Sequence, residues 1–281
     1  MADPTSLLEV ADPYEVIVLD QWGVLHNGST PYPGAALALS ALASSGKRLA
    51  VLSNSGKRAA PNAKRIADIG LPIEEIELTM TSGEACWQDY RDGNRKGRNL
   101  LAITGRPNDA LVWADGLDLS VVDTLDAADV VLLMGIPEGS KAEAEKQVLD
   151  DAFQRGLPVV CTNPDRASPR ADGVLQVSPG TLAHAYEDRG GDVIFYGKPH
   201  RPVFERLLQS LGARAEHCLM VGDSMEHDIA GAQGIGMASA FVTSGLHASE
   251  FEGITDASAL AGAIASAQGL LPPDHVINRL G

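Results

Sequence analysis

Short apolar runs recur along the chain and stop abruptly at a glycine or a polar residue. Val16-Ile17-Val18-Leu19 ends at Asp20, and Cys218-Leu219-Met220-Val221 ends at Gly222-Asp223. Apolar residues that follow one another without alternation are the pattern of strands buried on both faces. Strands are predicted over residues 15–19, 48–52, 99–104, 130–134, 158–161, 193–196 and 218–221. Helical spacing falls between them: an Ala/Leu-rich stretch at 34–44, a stretch at 60–69 closed by Gly70, one starting from Thr81, and others at 141–154 and 181–188. Alternating strands and helices predict an α/β fold, doubly wound around a largely parallel sheet. The polar, glycine-containing break Asp92-Gly93-Asn94-Arg95-Lys96-Gly97 lies near the start of a second alternation, and the first rhythm resumes after Ser178-Pro179-Gly180. The economical organisation is a discontinuous core over 1–81 and 180–281, interrupted by an inserted α/β domain over 82–179. The tail from 272 to 281 carries no readable pattern.

Ligands of open α/β sheets bind just beyond the carboxyl ends of the strands, so polar groups leaving several strands converge even when far apart in sequence. Four such segments occur here: Asp20, Ser53-Asn54, Gly197-Lys198-Pro199, and Gly222-Asp223 through Asp228-Ile229. Asp20, Asp223 and Asp228 are hard oxygen donors of the kind that holds Mg2+. Gathered without a cation, they would repel one another. Lys198 offers a compact positive charge suited to a carboxylate and a transferring phosphate, while Ser53 and Asn54 supply neutral donors that, with turn N–H groups, form an anion cradle. A carboxylate at Asp20 that attacked phosphorus would form an aspartyl-phosphate, which water then hydrolyses. Any one of these residues also fits a helix cap, a turn or a solvated surface. Their combination, each after a strand, is what points to one site.

Composition narrows the partners. The chain has 281 residues, 44% hydrophobic content and a formal charge of −15. That acidity, with a pI near 4.8, argues against nucleic acid or an anionic membrane as the main partner, because both need a basic face. No apolar stretch reaches the roughly 20 residues of a membrane span, and Met1-Ala2-Asp3-Pro4-Thr5 lacks a basic secretory start, so a soluble cytoplasmic protein is expected. Cys86, Cys161 and Cys218 are odd in number and without metal-ligand spacing, which predicts buried reduced thiols.

Taken together, Asp20 with Gly23-Val24-Leu25, Ser53-Asn54, Gly197-Lys198-Pro199 and Gly222-Asp223 through Asp228-Ile229 resemble the four-motif signature of the haloacid dehalogenase (HAD) superfamily. Asn163-Pro164-Asp165 and the large insertion resemble its class IIA, NagD-like subfamily. The likeness runs from about residue 14 to 245. It implies a Rossmann-like core with an inserted C2-type α/β cap, a Mg2+ cofactor, a small phosphorylated metabolite as substrate, and a homodimer as the assembly. By resemblance Asp20 is nucleophile and metal ligand, Asp223 the main metal acid and Asp228 a ligand or its support. The main-chain carbonyl of Trp22 is a further metal ligand, and Lys198 is the charge-stabilising lysine. Ser53 and Asn54 bind phosphate, and Asn163, Asp165 and Arg166 face the substrate.

One position departs from that pattern. Phosphatases of the superfamily carry a second aspartate two residues beyond the nucleophile, as general acid and then base, and here that residue is Trp22. Losing a positioned acid/base costs on the order of 10²–10⁴ in rate. Four readings stay open. His26, on the same turn, stands in as the acid; or metal and a good leaving group suffice, in a slow or selective phosphatase. Alternatively the protein is a dehalogenase, attacking carbon without a metal, against which Asp223 and Asp228 argue. Or it binds a phosphorylated ligand without turning it over.

Overall fold

The structure, a computed structural model, describes residues 6–169, 175–245 and 248–281. The amino-terminal residues Met1–Thr5 considered above lie outside them. In chain order the strands are β1 (Val16–Leu19), β2 (Arg48–Ser53), β3 (Ile76–Thr81), β4 (Asn99–Ile103), β5 (Ser120–Val122), β6 (Val130–Leu133), β7 (Val159–Cys161), β8 (Ala167–Pro169), β9 (Leu175–Val177), β10 (Val193–Phe195), β11 (Cys218–Gly222), β12 (Ala238–Val242) and β13 (His275–Ile277). They divide between two compact units, one comprising 1–53, 60–80 and 204–281, the other 54–59 and 81–203.

The first unit is built on a six-stranded sheet in the order β13-β12-β11-β1-β2-β3. β1 pairs in parallel with β2 on one side and with β11 on the other, Leu19 opposite both Val51 and Val221. All four β1 residues are fully buried, as their unbroken apolar run requires. The chain winds outward from β1 through β2 and β3, then returns through β11, β12 and β13 on the opposite side. The strand order therefore reverses between β1 and β11, the point at which doubly wound sheets bind ligands. The helix Ala35–Ser44 buries Ala35, Ala38, Leu39 and Leu42, a stripe at helical spacing, in the same cluster as Ile17, Leu19, Leu219 and Val221. The tail that carried no pattern supplies β13, whose Val276 pairs with Phe241, while His275 Nε2 lies 2.8 Å from the Tyr14 hydroxyl. Three residues flanked by polar ones are too short to announce a strand; register against β12 defines it.

The second unit has its own five-stranded sheet, β10-β7-β6-β4-β5, with β8 and β9 as a separate antiparallel pair. The helices Glu143–Gln154 and Pro179–Asp188 place Leu149, Ala152, Leu182, Ala183 and Tyr186 in one core with Val131, Leu133, Val159 and Cys161. This unit reaches Val203, past the 179 expected from the chain's rhythm, because β10 pairs with β7, Val193 opposite Val159. A helix followed by a strand reads alike in either sheet, so pairing alone decides where β10 belongs. The helix Ser82–Arg91 starts at an N-cap: Thr81 Oγ1 accepts the Glu84 N–H at 2.9 Å, while the Glu84 carboxylate accepts from Arg58 and the Ala59 N–H. Cys86, Cys161 and Cys218 are buried free thiols. No helix of the described residues is long and apolar enough to cross a membrane.

Within the second unit a buried polar network links β10 to that helix. The Tyr196 hydroxyl, on a fully buried ring, donates to Asp89 and accepts from Arg95 Nε at 2.6 Å. Burial, with the neighbouring Cys86 and Asp89, raises the pKa of the phenol, which stays a donor. Tyr196→Phe removes the partner shared by Asp89 and Arg95 and is expected to destabilise the protein by about 1–3 kcal/mol. A lowered thermal midpoint checks this; an unchanged midpoint would show that Asp89 and Arg95 satisfy each other without the phenol.

Candidate active site

The carboxylates converge because β1 and β11 are neighbours. Asp20 N–H extends their ladder to Val221 O at 2.9 Å, and Asp223 leaves β11 directly after Gly222. From Ser224 the chain enters a single wide turn, Met225–Ile229, which turns Asp228 back so that its Oδ2 accepts the Ser224 N–H at 3.1 Å. Carboxylate oxygens of Asp20, Asp223 and Asp228 thus lie within 4.8 Å of one another. Asp223 and Asp228 are each 1% exposed.

Glycine makes the room for this cluster. Gly23 sits at φ +92°, and a Cβ there would overlap the Asp223 carboxylate. A Cβ on Gly245 would come 2.6 Å from Asp223 Cβ and 2.7 Å from Gly23 O, and one on Gly222 would overlap Asp228. Such a cluster of acids, two of them buried, fits a hard divalent cation: the donors are all oxygen, and a cation removes the repulsion that burial intensifies.

The turn after Asp20 is tightly laced. Leu25 and His26 N–H groups both donate to Gln21 O, and Gly23 N–H donates to His26 O at 3.0 Å. Trp22 is half-buried, its indole Nε1 packed where a Cβ of Gly28 would come within 2.9 Å. The His26 ring is 1% exposed and its Nδ1 accepts the Gly28 N–H at 2.9 Å. A backbone N–H can only donate, so Nδ1 carries the lone pair and the proton of the neutral ring sits on Nε2, which has no hydrogen-bond partner among the described residues. Burial, reinforced by the nearby Arg65 charge and opposed by Asp20, lowers the His26 pKa, so the ring stays neutral through physiological pH.

In the second unit, Lys198 follows β10 and is 2% exposed, with the Lys198–Pro199 bond cis. Its main chain is bound by Asn54: Lys198 N–H donates to Asn54 Oδ1 at 2.6 Å, and Asn54 Nδ2 donates to Lys198 O at 3.0 Å. Asn54 Nδ2 also donates to Asp165 Oδ1 at 2.7 Å, and Asp165 N–H donates to Asn163 Oδ1 at 3.1 Å. Sequence reading brought Asn54, Asp165, Asn163 and Lys198 to one site but did not foresee these contacts among them. Arg166 is exposed, and its carbonyl accepts from Ser178 N–H and Thr181 Oγ1. Ser53 closes β2 in the first unit and is buried. His200 stacks on Phe195 at 4.5 Å, Tyr90 packs edge-on against Trp113, and Trp87 lies under the Arg58 guanidinium at 3.7 Å.

Comparison with known proteins places these features in context. Models described as haloacid dehalogenase-like hydrolase match residues 81–236, more than half the chain, and residues 17–116; one described as HAD-hydrolase-like matches 195–280. Mouse (Mus musculus) chronophin is 26% identical over 251 residues, 87% of this chain and 86% of that protein. A haloacid dehalogenase-like hydrolase from Brucella suis superposes with a TM-score of 0.82 at 27% identity, covering 99% of this chain and 100% of that one. A p-nitrophenyl phosphatase from Archaeoglobus fulgidus gives 0.74 at 26% identity, covering 95% and 96%.

Because Gly23 combines a left-handed φ with contact to Asp223, Gly23→Ala is expected to cost about 1–3 kcal/mol of stability. The folded fraction should bind a divalent cation at least about tenfold more weakly by titration calorimetry, since the carboxylate must move. A wild-type isotherm would show that Asp223 does not depend on that glycine.

Proposed function

The chain belongs to the haloacid dehalogenase-like hydrolase family, and on that premise we propose that it is a Mg2+-dependent phosphatase of small phosphate monoesters. The observation that carries the reading is the meeting of Asp20, Asp223 and Asp228 at the reversal between β1 and β11. The names of two similar proteins support it: that of the Archaeoglobus fulgidus p-nitrophenyl phosphatase, and that of a dihydroxyacetone phosphatase from Corynebacterium glutamicum, 31% identical over 91 residues, 32% of this chain.

In this reading Asp20 is the nucleophile: a carboxylate oxygen bonds to phosphorus as the ester P–O bond breaks, and water then attacks the aspartyl-phosphate to return the carboxylate and release phosphate. Asp20, Asp223, Asp228 and the Trp22 carbonyl would hold Mg2+, which supplies positive charge against the phosphoryl oxygens. Ser53 and the N–H groups of the turn after Asp20 would bind those oxygens, and Lys198 would stabilise the charge that builds on them. Asn163 and Arg166, on the segment following β7, are the proposed contacts to the rest of the substrate.

The proton for the leaving oxygen is where this chain departs from the pattern that the family resemblance implies. An indole N–H does not act as an acid at neutral pH, so Trp22 supplies none. A neutral His26, buried and accepting from Gly28 N–H, is better suited to shaping the turn than to donating a proton. Without a positioned acid the leaving oxygen departs as an anion or takes its proton from water, so the rate should fall steeply as the leaving group becomes more basic. Aryl phosphates should outpace alkyl phosphates, and Trp22→Asp should raise turnover of alkyl phosphates by about 10–100-fold, a fraction of what general acids contribute.

Phosphate release from aryl and alkyl esters, with and without Mg2+, tests the reading. Release should require both Mg2+ and Asp20, with Asp20→Asn inactive. Trp22 favours a second reading, a protein that binds a phosphorylated ligand without hydrolysing it; Mg2+ binding with no release from any ester, in wild type and Trp22→Asp alike, would select that reading.

A further inference from the structure

Asn54 sits one residue beyond Ser53, where a second phosphate donor is expected, yet its amide is already committed. A primary amide has two N–H groups; one goes to Asp165 Oδ1 at 2.7 Å and the other to Lys198 O at 3.0 Å. Its oxygen accepts Lys198 N–H at 2.6 Å. The assignment of oxygen and nitrogen is forced, since the reversed amide would set N–H against N–H and oxygen against both a carboxylate and a carbonyl. One side chain therefore grips both polar groups of one backbone residue, and that residue carries the buried ammonium.

The surroundings hold the same peptide. Gly197 passes through a slot at φ +108°, where a Cβ would come within 2.6 Å of Pro164 Cδ and 2.9 Å of Asn54 Oδ1. Asp165, which orients the amide, is itself held by Asn163 Oδ1 on its N–H. On the other side Tyr196 N–H donates to Cys161 O at 2.8 Å, continuing β10 to the edge of the slot.

From this geometry we propose that Asn54 and Asp165 are positioning residues: they fix the main chain of Lys198, and neither contacts the phosphoryl group or the leaving group. The proposal rests on Lys198 being the charge-stabilising cation. Asn54 sets where the Lys198 Cα starts, and Asp165 keeps the amide turned so that both grips hold. A displacement of about 1 Å in a group that stabilises a transition state costs on the order of 10²-fold, while ground-state phosphate affinity, set by other donors, is spared.

The test pairs kinetics with hydrogen exchange in the intact, Mg2+-loaded protein. In Asn54→Ala, kcat should fall by about 10–100-fold, while the inhibition constant for inorganic phosphate changes less than about threefold; a lost hydrogen bond to a charged phosphate would instead weaken it about tenfold or more. Independently of turnover, the Lys198 amide should exchange at least about tenfold faster by NMR, with the Tyr196 amide still protected. Asp165→Ala, which leaves Asn54 in place, should show a smaller rise at Lys198 and serves if Asn54→Ala does not fold. Unchanged Lys198 exchange in both variants overturns the proposal, as does a phosphate inhibition constant that worsens in step with kcat. Faster exchange with unaltered kcat in an active enzyme overturns the functional half by removing Lys198 from the chemistry. A wild type without Mg2+-dependent release defeats the phosphatase reading instead, and exchange still decides whether Asn54 holds Lys198.

Discussion

Everything in the first unit answers to one electrostatic constraint: carboxylate oxygens of Asp20, Asp223 and Asp228 share a space 4.8 Å across with almost no water on two of them. Like charges in a poorly solvated place repel, so such a cluster persists only where backbone geometry compels it and a cation compensates it. The compulsion is visible. The β1–β11 ladder fixes where Asp20 and Asp223 emerge, the wide turn at Met225–Ile229 returns Asp228, and Gly23, Gly222 and Gly245 surrender the volume of a side chain each. Fold stability and the proposed metal site thus depend on the same few positions.

The second unit solves a different problem, that of holding one lysine. Lys198 is nearly as buried as Asp223 and Asp228, and its main chain is held by hydrogen bonds with Asn54. Tyr196, Gly197 and Lys198 form a graded anchor: a ring locked to Asp89 and Arg95, a glycine with no space for a Cβ, then a peptide bound on both sides by Asn54. Precision of a charged group thus begins in the chain that bears it.

How much of this was legible in sequence follows from the range of the forces involved. Strands buried on both faces declare themselves as apolar runs, so β1, β2, β6 and β11 and the polar residues after several of them could be read directly. The meeting of Asp20 with Asp223 followed from the rule for strand ends. Short elements defined by pairing alone were silent: β13 is three residues, and β10 could belong to either sheet until its register with β7 is known. The same holds for Gly245, whose role is to face Asp223, and for Asn54, whose partner Lys198 is 144 positions away. Side-chain packing across such separations leaves no periodic trace, and Ser-Asn after a strand looks alike whether the asparagine faces a phosphate or a peptide.

The central place of β1 has a consequence for how the chain comes into being. Val16 pairs with Arg48 on one side and with Cys218 on the other, so one edge of a wholly apolar strand, made early in synthesis, has no native partner until most of the polypeptide has left the ribosome. The five-stranded sheet, drawn entirely from residues between 99 and 195, has all its strands available before β11 appears. During that interval the nascent chain has every strand of one sheet and still lacks β11 of the other, whose unpaired apolar edge is of the kind that pairs with neighbouring chains. The topology that lets β1 and β11 present their aspartates side by side therefore makes the last third of the chain the step on which productive folding waits.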